Sequence, residues 1–181
     1  MKVVVTGGGG YLGSWVVAKL LDRGHFVRIF DRFCFGTEAL AEFARHDHCE
    51  IITGDVRRLQ EAPGLLDGVE AVMHLASLSN DPSCELDVEM AMDVNVESTL
   101  ELAKLAVQHG VRRFVLASSC AVYGHGVFEL LDEESPANPI STFGKGKLAA
   151  ERALLQMQSD HFQPVVARIA SLFGYSRRMR F

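Results

Sequence analysis

The chain opens on Val3-Val4-Val5-Thr6-Gly7-Gly8-Gly9-Gly10-Tyr11-Leu12-Gly13, an apolar strand that breaks into glycines and restarts as a helix. Read as Gly7-x-x-Gly10-x-x-Gly13, the glycines fall at the spacing of a dinucleotide-binding turn. The first allows the backbone to turn sharply, the second lets it approach a pyrophosphate with no side chain in the way, and the third lets the helix pack closely on the strand. A helix expected at 11–23 points its first N–H groups, at Tyr11 and Leu12, and its positive dipole end at the phosphates. Four glycines alone could be a flexible loop. Strand, turn, amphipathic helix and a downstream acid in that order make the stronger reading.

That acid is Asp31, closing the apolar strand Phe26-Val27-Arg28-Ile29-Phe30. A carboxylate at this strand tip, about 20 residues past the glycines, can accept both ribose hydroxyls of an adenosine and repels a 2′-phosphate. NAD is therefore expected over NADP, although the adjacent Arg32 could greet a phosphate.

The remaining pattern suits an α/β domain with a doubly wound parallel sheet, a Rossmann fold with helices on both faces. Short apolar runs at 2–6, 26–31, 50–53, 70–75, 112–118 and 164–170 predict six strands. Helices are expected at 11–23, 37–46, 85–109 and 141–159, with a short one near 57–62. Gly110 should cap the long helix, and 124–139 reads as a loop over the strand ends. Gly7, Asp31, Asp55, Ala76 and Ser119 then share the carboxyl edge, where ligands bind in such sheets.

Composition narrows the function further. A formal charge of −5 with dispersed signs argues against a nucleic-acid surface, and the cluster Arg177-Arg178-Met179-Arg180 is too short to change that. No apolar run approaches the roughly 20 residues of a membrane span, and no signal-peptide pattern precedes the first strand. Cys34, Cys49, Cys84 and Cys120 lack paired metal spacing, so reduced thiols in a cytoplasmic protein are expected. His46, Asp47, His48 and Cys49 are neighbours in a loop, a poor arrangement for a closed metal site, and no metal is expected.

With these motifs in place, the chain resembles an extended short-chain dehydrogenase/reductase of the nucleotide-sugar epimerase/dehydratase type, from end to end. Gly54-Asp55-Val56-Arg57 matches the segment that meets the adenine. His74-Leu75-Ala76-Ser77 matches the lining of the cofactor diphosphate and ribose. Asn95-Val96-Glu97-Ser98-Thr99 matches Asn-Val-x-Gly-Thr with Ser98 for glycine, and Ser118-Ser119-Cys120-Ala121-Val122-Tyr123-Gly124 matches the active-site strand end. The resemblance implies transient oxidation of a sugar hydroxyl by NAD, a nucleotide-sugar substrate and a homodimer built on helices 85–109 and 141–159. It implies that Ser119, rather than Ser118, holds the hydroxyl, and that a Tyr-x-x-x-Lys pair moves its proton.

Here the sequence departs from the family. The pair appears as Phe143-Gly144-Lys145-Gly146-Lys147, with Glu151 one turn on. Lys147 can still hold the nicotinamide ribose, but Phe143 has no proton to move, and loss of a positioned acid/base costs about 10²–10⁴-fold. Three readings stand open. Phe143 is natural in a protein that binds NAD without ordinary turnover, or it was introduced, or another group serves as base. The third ranks lowest: among its candidates Tyr123 reads as structural, Cys120 as a buried small hydrophobe and His125 as exposed. Cys120 and Ala121 stand where 4,6-dehydratases carry Asp-Glu, which leaves epimerase or sugar dehydrogenase chemistry. Asp81, Glu85 and Asp87 suit a solvated helix start. Leu100, Leu105 and Leu148 read as core. The resemblance further implies that residues 1–181 are the NAD-binding domain and that the family's smaller C-terminal substrate domain is absent from this chain.

Overall fold

A computed structural model of the chain describes residues 1–125 and 130–179. Residues 126–129 of the expected loop, and Arg180 and Phe181 of the basic tail, lie outside the described residues. Six parallel strands, β1 (Lys2–Thr6), β2 (Phe26–Asp31), β3 (Cys49–Thr53), β4 (Ala71–His74), β5 (Arg113–Ser119) and β6 (Gln163–Ile169), form one sheet in the order β3-β2-β1-β4-β5-β6. All six lie within a residue of the positions expected from their apolar runs. The order reverses between β1 and β4, which opens the crevice of a doubly wound sheet at that switch point.

Side chains alternate across the sheet, and each face has its own core. Val4, Phe30, Val72, Phe114 and Leu116 pack under Leu102, Ala150 and Leu154. Val3, Val5, Val27 and Ile29 pack on the other face under Val17, Leu21, Leu40 and Phe43. Strands covered on both faces carry continuous apolar runs, which is why this sheet was legible in the sequence.

The helices depart more from expectation. Helix α1 (Gly13–Asp22) starts two residues late, because Tyr11 and Leu12 belong to the turn. No full helix forms over 37–46. The chain makes a 3-10 turn at Glu38–Leu40 and a further turn that drops Leu40 and Phe43, three residues apart, into the core. A 3-10 turn at Val56–Glu61 takes the place of the short helix near 57–62.

The single helix expected over 85–109 is four segments: α2 (Asp81–Leu86), α3 (Val88–Met92), a π-helical turn (Asp93–Glu97) and α4 (Ser98–Gln108). Asn80 caps α2, its side chain accepting from the Ser83 N–H at 2.8 Å. Asp87 is extended (φ −148°) and caps α3 through the Met90 N–H at 2.9 Å, so the helix breaks there. Gly110, at φ 73°, follows α4 as the expected left-handed residue. Helix α5 (Thr142–Leu155) is capped by the Ser141 hydroxyl. Glu85 faces α5 rather than solvent alone: its carboxylate accepts from the Thr142 N–H at 3.0 Å. Leu148 is buried against Val122 and Tyr123, as its core reading requires.

Candidate functional site

At the end of β1 the glycine turn is built by close approach. Gly7 takes φ +71°, and a Cβ there would lie 2.6 Å from the Ala76 nitrogen. A Cβ on Gly13 would strike the Gly7 carbonyl oxygen. The Gly10 N–H donates to that carbonyl at 3.0 Å and closes the turn. The backbone N–H groups of Tyr11, Leu12 and Gly13 have no hydrogen-bond partner among the described residues. Three free donors at a helix N-terminus, beside a bare backbone, fit a pyrophosphate.

Asp31 closes the other side of this cradle. Its two oxygens accept from the Gly9 and Phe33 N–H groups, each at 2.9 Å, which fixes the carboxylate and leaves lone pairs for ribose hydroxyls. Arg32 points elsewhere, its Nε 3.4 Å from Asp55. Asp55 also receives the Arg57 backbone N–H at 3.0 Å and the fork of the Arg57 guanidinium, with Nη2 at 2.6 Å. The Arg57 bonds hold the Asp55 carboxyl below the usual carboxylate range. Its carboxylate is thus engaged, and the Val56 side chain is buried in the core.

Behind the cradle runs a polar chain whose components carry little signal one at a time. The Ala76 N–H donates to Thr6 Oγ1 at 3.3 Å, and Thr6 Oγ1 lies 2.7 Å from His74 Nδ1. His74 Nε2 lies 2.9 Å from Thr99 Oγ1, which donates its proton to the Asn95 carbonyl at 3.0 Å. Thr99 has one proton and spends it on Asn95, so it must accept from His74 Nε2–H; Nδ1 then accepts from Thr6, and the ring is neutral. The Asn95 side chain accepts from the Ser77 hydroxyl and the Leu78 N–H, both at 2.9 Å, tying the π turn to the end of β4. Leu75 packs below on the α1 side of the sheet.

Burial pushes the His74 pKa down from 6.5 to about 3. The stability of a neutral buried imidazole is therefore complete above about pH 6.5 and is lost as pH falls toward 3, because the unfolded chain takes a proton that the fold excludes. At pH 5 the expected loss is about 2 kcal/mol. Urea unfolding at pH 7.5 and pH 5 measures it, and a His74→Gln variant should show a flatter pH dependence.

On the far side, β5 ends at Ser119, whose hydroxyl accepts from the Ala121 N–H at 3.1 Å and opens the 3-10 turn Cys120–Tyr123. Lys147 reaches the same strand from α5. It is 4% exposed, and its Nζ donates to the Ala117 carbonyl at 2.9 Å. Burial lowers its pKa to about 8. The ammonium lies 5.7 Å from the centre of the Phe143 ring, so phenylalanine offers a π face where the resemblance implies a phenol.

Ser118 turns inward and donates to Glu151, a carboxylate 1% exposed. Arg168 forks onto the same carboxylate, with Nη2 at 2.8 Å, and donates from Nη1 to the Tyr123 hydroxyl at 3.0 Å. Tyr123 in turn donates to the Asp132 carbonyl at 2.7 Å, so it is committed to structure. His125 is exposed. Cys120, expected buried, is exposed: it opens the turn on the outer side, and Val122 and Tyr123 fill the interior instead.

The protein-family description "NAD dependent epimerase/dehydratase family" matches residues 3–181. The chain is 37% identical over 156 residues to UDP-glucose 4-epimerase of Corynebacterium glutamicum, covering 85% of this chain and 46% of that protein. It is 31% identical over 180 residues to UDP-glucuronic acid decarboxylase 1 of Xenopus tropicalis, covering 96% of this chain and 41% of that one. Among solved structures, Pal from Bacillus thuringiensis superposes with a TM-score of 0.86 at 29% identity, over 93% of this chain and 55% of that chain. MoeE5 in complex with UDP-glucose and NAD gives 0.76 at 31% identity, over 92% and 52%. The chain thus spans about half the length of the relatives it matches. Matched over nearly its whole length and carrying the glycine turn, the strand-end acid and the Ser119–Lys147 edge in one Rossmann sheet, the chain belongs to the NAD dependent epimerase/dehydratase family.

Proposed function

We propose that this chain is the NAD-binding half of a nucleotide-sugar epimerase-type oxidoreductase whose ordinary turnover is impaired at Phe143. The observation that carries the cofactor reading is the cradle: three unpartnered N–H donors at Tyr11, Leu12 and Gly13 beside a fixed Asp31 carboxylate. Bound there, NAD supplies hydride acceptance from a sugar carbon. The N–H donors hold the diphosphate, Asp31 the adenosine ribose, and the backbone of Asp55 and Val56 the adenine. Leu75, Ala76, Ser77 and Asn95 wall the middle of the cleft. Lys147 holds the nicotinamide ribose, and the Ser119 hydroxyl orients the sugar hydroxyl. A nucleotide sugar as substrate is supported by the neighbour solved with UDP-glucose and NAD. Grip on its nucleotide would come from a C-terminal substrate domain outside these residues.

One observation supports a second reading, a catalytically inactive NAD-binding protein that acts as a sensor or partner. The Lys147 ammonium is settled over the Phe143 ring, so the site accommodates phenylalanine without an orphaned charge. Exposed Val88, Met90 and Leu155 on α3 and α5 support a homodimer through these helices. Among the described residues no helix is long and apolar enough to cross a membrane.

The ribose contact gives the sharpest test. Asp31→Ala is expected to weaken NAD binding about tenfold or more, since a charge-assisted hydrogen bond contributes roughly 1.5–3 kcal/mol. It should also narrow the gap between NAD and NADP. Calorimetric titration of both coenzymes measures this, and unchanged NAD affinity in the variant would sink the assignment of Asp31.

A further inference from the structure

Past β6 the chain turns back across α1. The Tyr11 phenol donates to the Gly174 carbonyl at 2.5 Å, and the Trp15 indole N–H donates to the Tyr175 carbonyl at 2.9 Å. Ser176, 1% exposed, donates to the Tyr11 carbonyl at 2.7 Å and lies 3.3 Å from the Ser14 hydroxyl. The next two residues reach the segment that runs on from Asp31. The Arg177 guanidinium lies 4.8 Å from the Trp15 ring centre and 5.3 Å from that of Phe43, with its Nε paired to Glu42. Arg178 lies 3.9 Å from the ring centre of Phe35. One short stretch thus ties together the two walls of the adenosine side, the first turn of α1 and the chain after β2.

We propose that residues 174–178 are a latch whose closure positions this edge for a dinucleotide, with Ser176 and Arg177 as positioning residues. The inference rests on the cofactor reading of the glycine turn. Closure orders Tyr11 and the 35–43 segment before a ligand arrives, so less freedom is lost on binding and affinity rises. The latch is also built to open. It is held by polar and cation–π contacts rather than apolar burial, with Phe173 95% exposed and Tyr175 76% exposed. Arg177 Nη1 is buried without a hydrogen-bond partner among the described residues. Gly174 takes φ +110°, in the region that favours glycine, which makes it the hinge.

Trp15 is the only tryptophan in the chain and sits under the latch, so it reports closure directly. In the full chain, acrylamide quenching of Trp15 fluorescence is compared between wild type, Ser176→Ala/Arg177→Ala and Gly174→Ala, and each protein is then titrated with NAD. A Cβ at Gly174 meets nothing within 4 Å, so that variant opens the latch through backbone strain without removing a contact. Both variants should show more quenching than wild type and a Kd for NAD raised about tenfold. Unchanged quenching overturns the latch, and increased quenching with unchanged NAD affinity overturns its positioning role. A wild-type chain that does not bind NAD overturns the cofactor reading and the coupling with it, a result that the quenching comparison keeps distinct from an absent latch.

Discussion

Phe143→Tyr is expected to raise any NAD-dependent oxidation of the proposed nucleotide-sugar substrate by about 10²–10⁴-fold over the wild type, the usual contribution of a positioned acid/base. The site is otherwise ready for a phenol. Lys147 is buried, fixed on the Ala117 carbonyl and aimed at residue 143, and Ser119 ends the adjacent strand. An ammonium beside the ring favours the phenolate and a phenolate favours the ammonium, so the two titrate as a pair: the new tyrosine should titrate below the ordinary value of about 10 while Lys147 moves up from about 8. Ultraviolet difference titration of the variant reads that shift in this chain alone. Reduced nicotinamide absorbance, followed with the substrate-gripping half supplied, reads the activity. A lowered tyrosine pKa without activity would favour the inactive NAD-binding protein. A phenol that titrates normally would mean that Lys147 does not govern this position.

The second large effect is on stability. Glu151 is buried and receives Ser118 and the fork of Arg168, and Arg168 also holds the Tyr123 hydroxyl. These contacts join α5, β5, β6 and the turn after Ser119. Removing one partner of a buried ion pair leaves the other uncompensated, at about 3–5 kcal/mol. Glu151→Ala should therefore lower Tm by about 10 °C for a domain of this size. A Glu151→Leu/Arg168→Met double variant should recover much of the loss, because replacing the whole pair with apolar groups removes the orphaned charge. A Glu151→Ala protein within about 1 kcal/mol of wild type in urea unfolding would show that the network is not what holds these elements together.

Legibility in the sequence followed the kind of interaction. The six strands could be read because burial on both faces leaves continuous apolar runs such as Phe114-Val115-Leu116-Ala117. Gly7, Gly13 and Asp31 could be read because close approach and charge restrict the residue types allowed there. The 85–109 stretch misleads because Asp87 looks like one more polar helix position, while its side chain caps a new segment. The 37–46 stretch misleads because helix propensity yields to burying Leu40 and Phe43 in a tighter turn. Thr6, His74 and Thr99 lie in three different elements, and only the fold makes them one hydrogen-bonded chain. The tail arginines read as a weak basic cluster, yet Arg177 and Arg178 stack on aromatic rings more than 130 residues away in sequence.

Calorimetric titration of the wild-type chain with NAD, and with NADP in parallel, decides whether the glycine-turn edge of this sheet binds NAD. Saturable binding of one NAD per chain and weaker binding of NADP are expected, since Asp31 repels a 2′-phosphate and Arg32 is turned to Asp55. No saturable binding of either coenzyme, or tighter binding of NADP, would contradict that expectation.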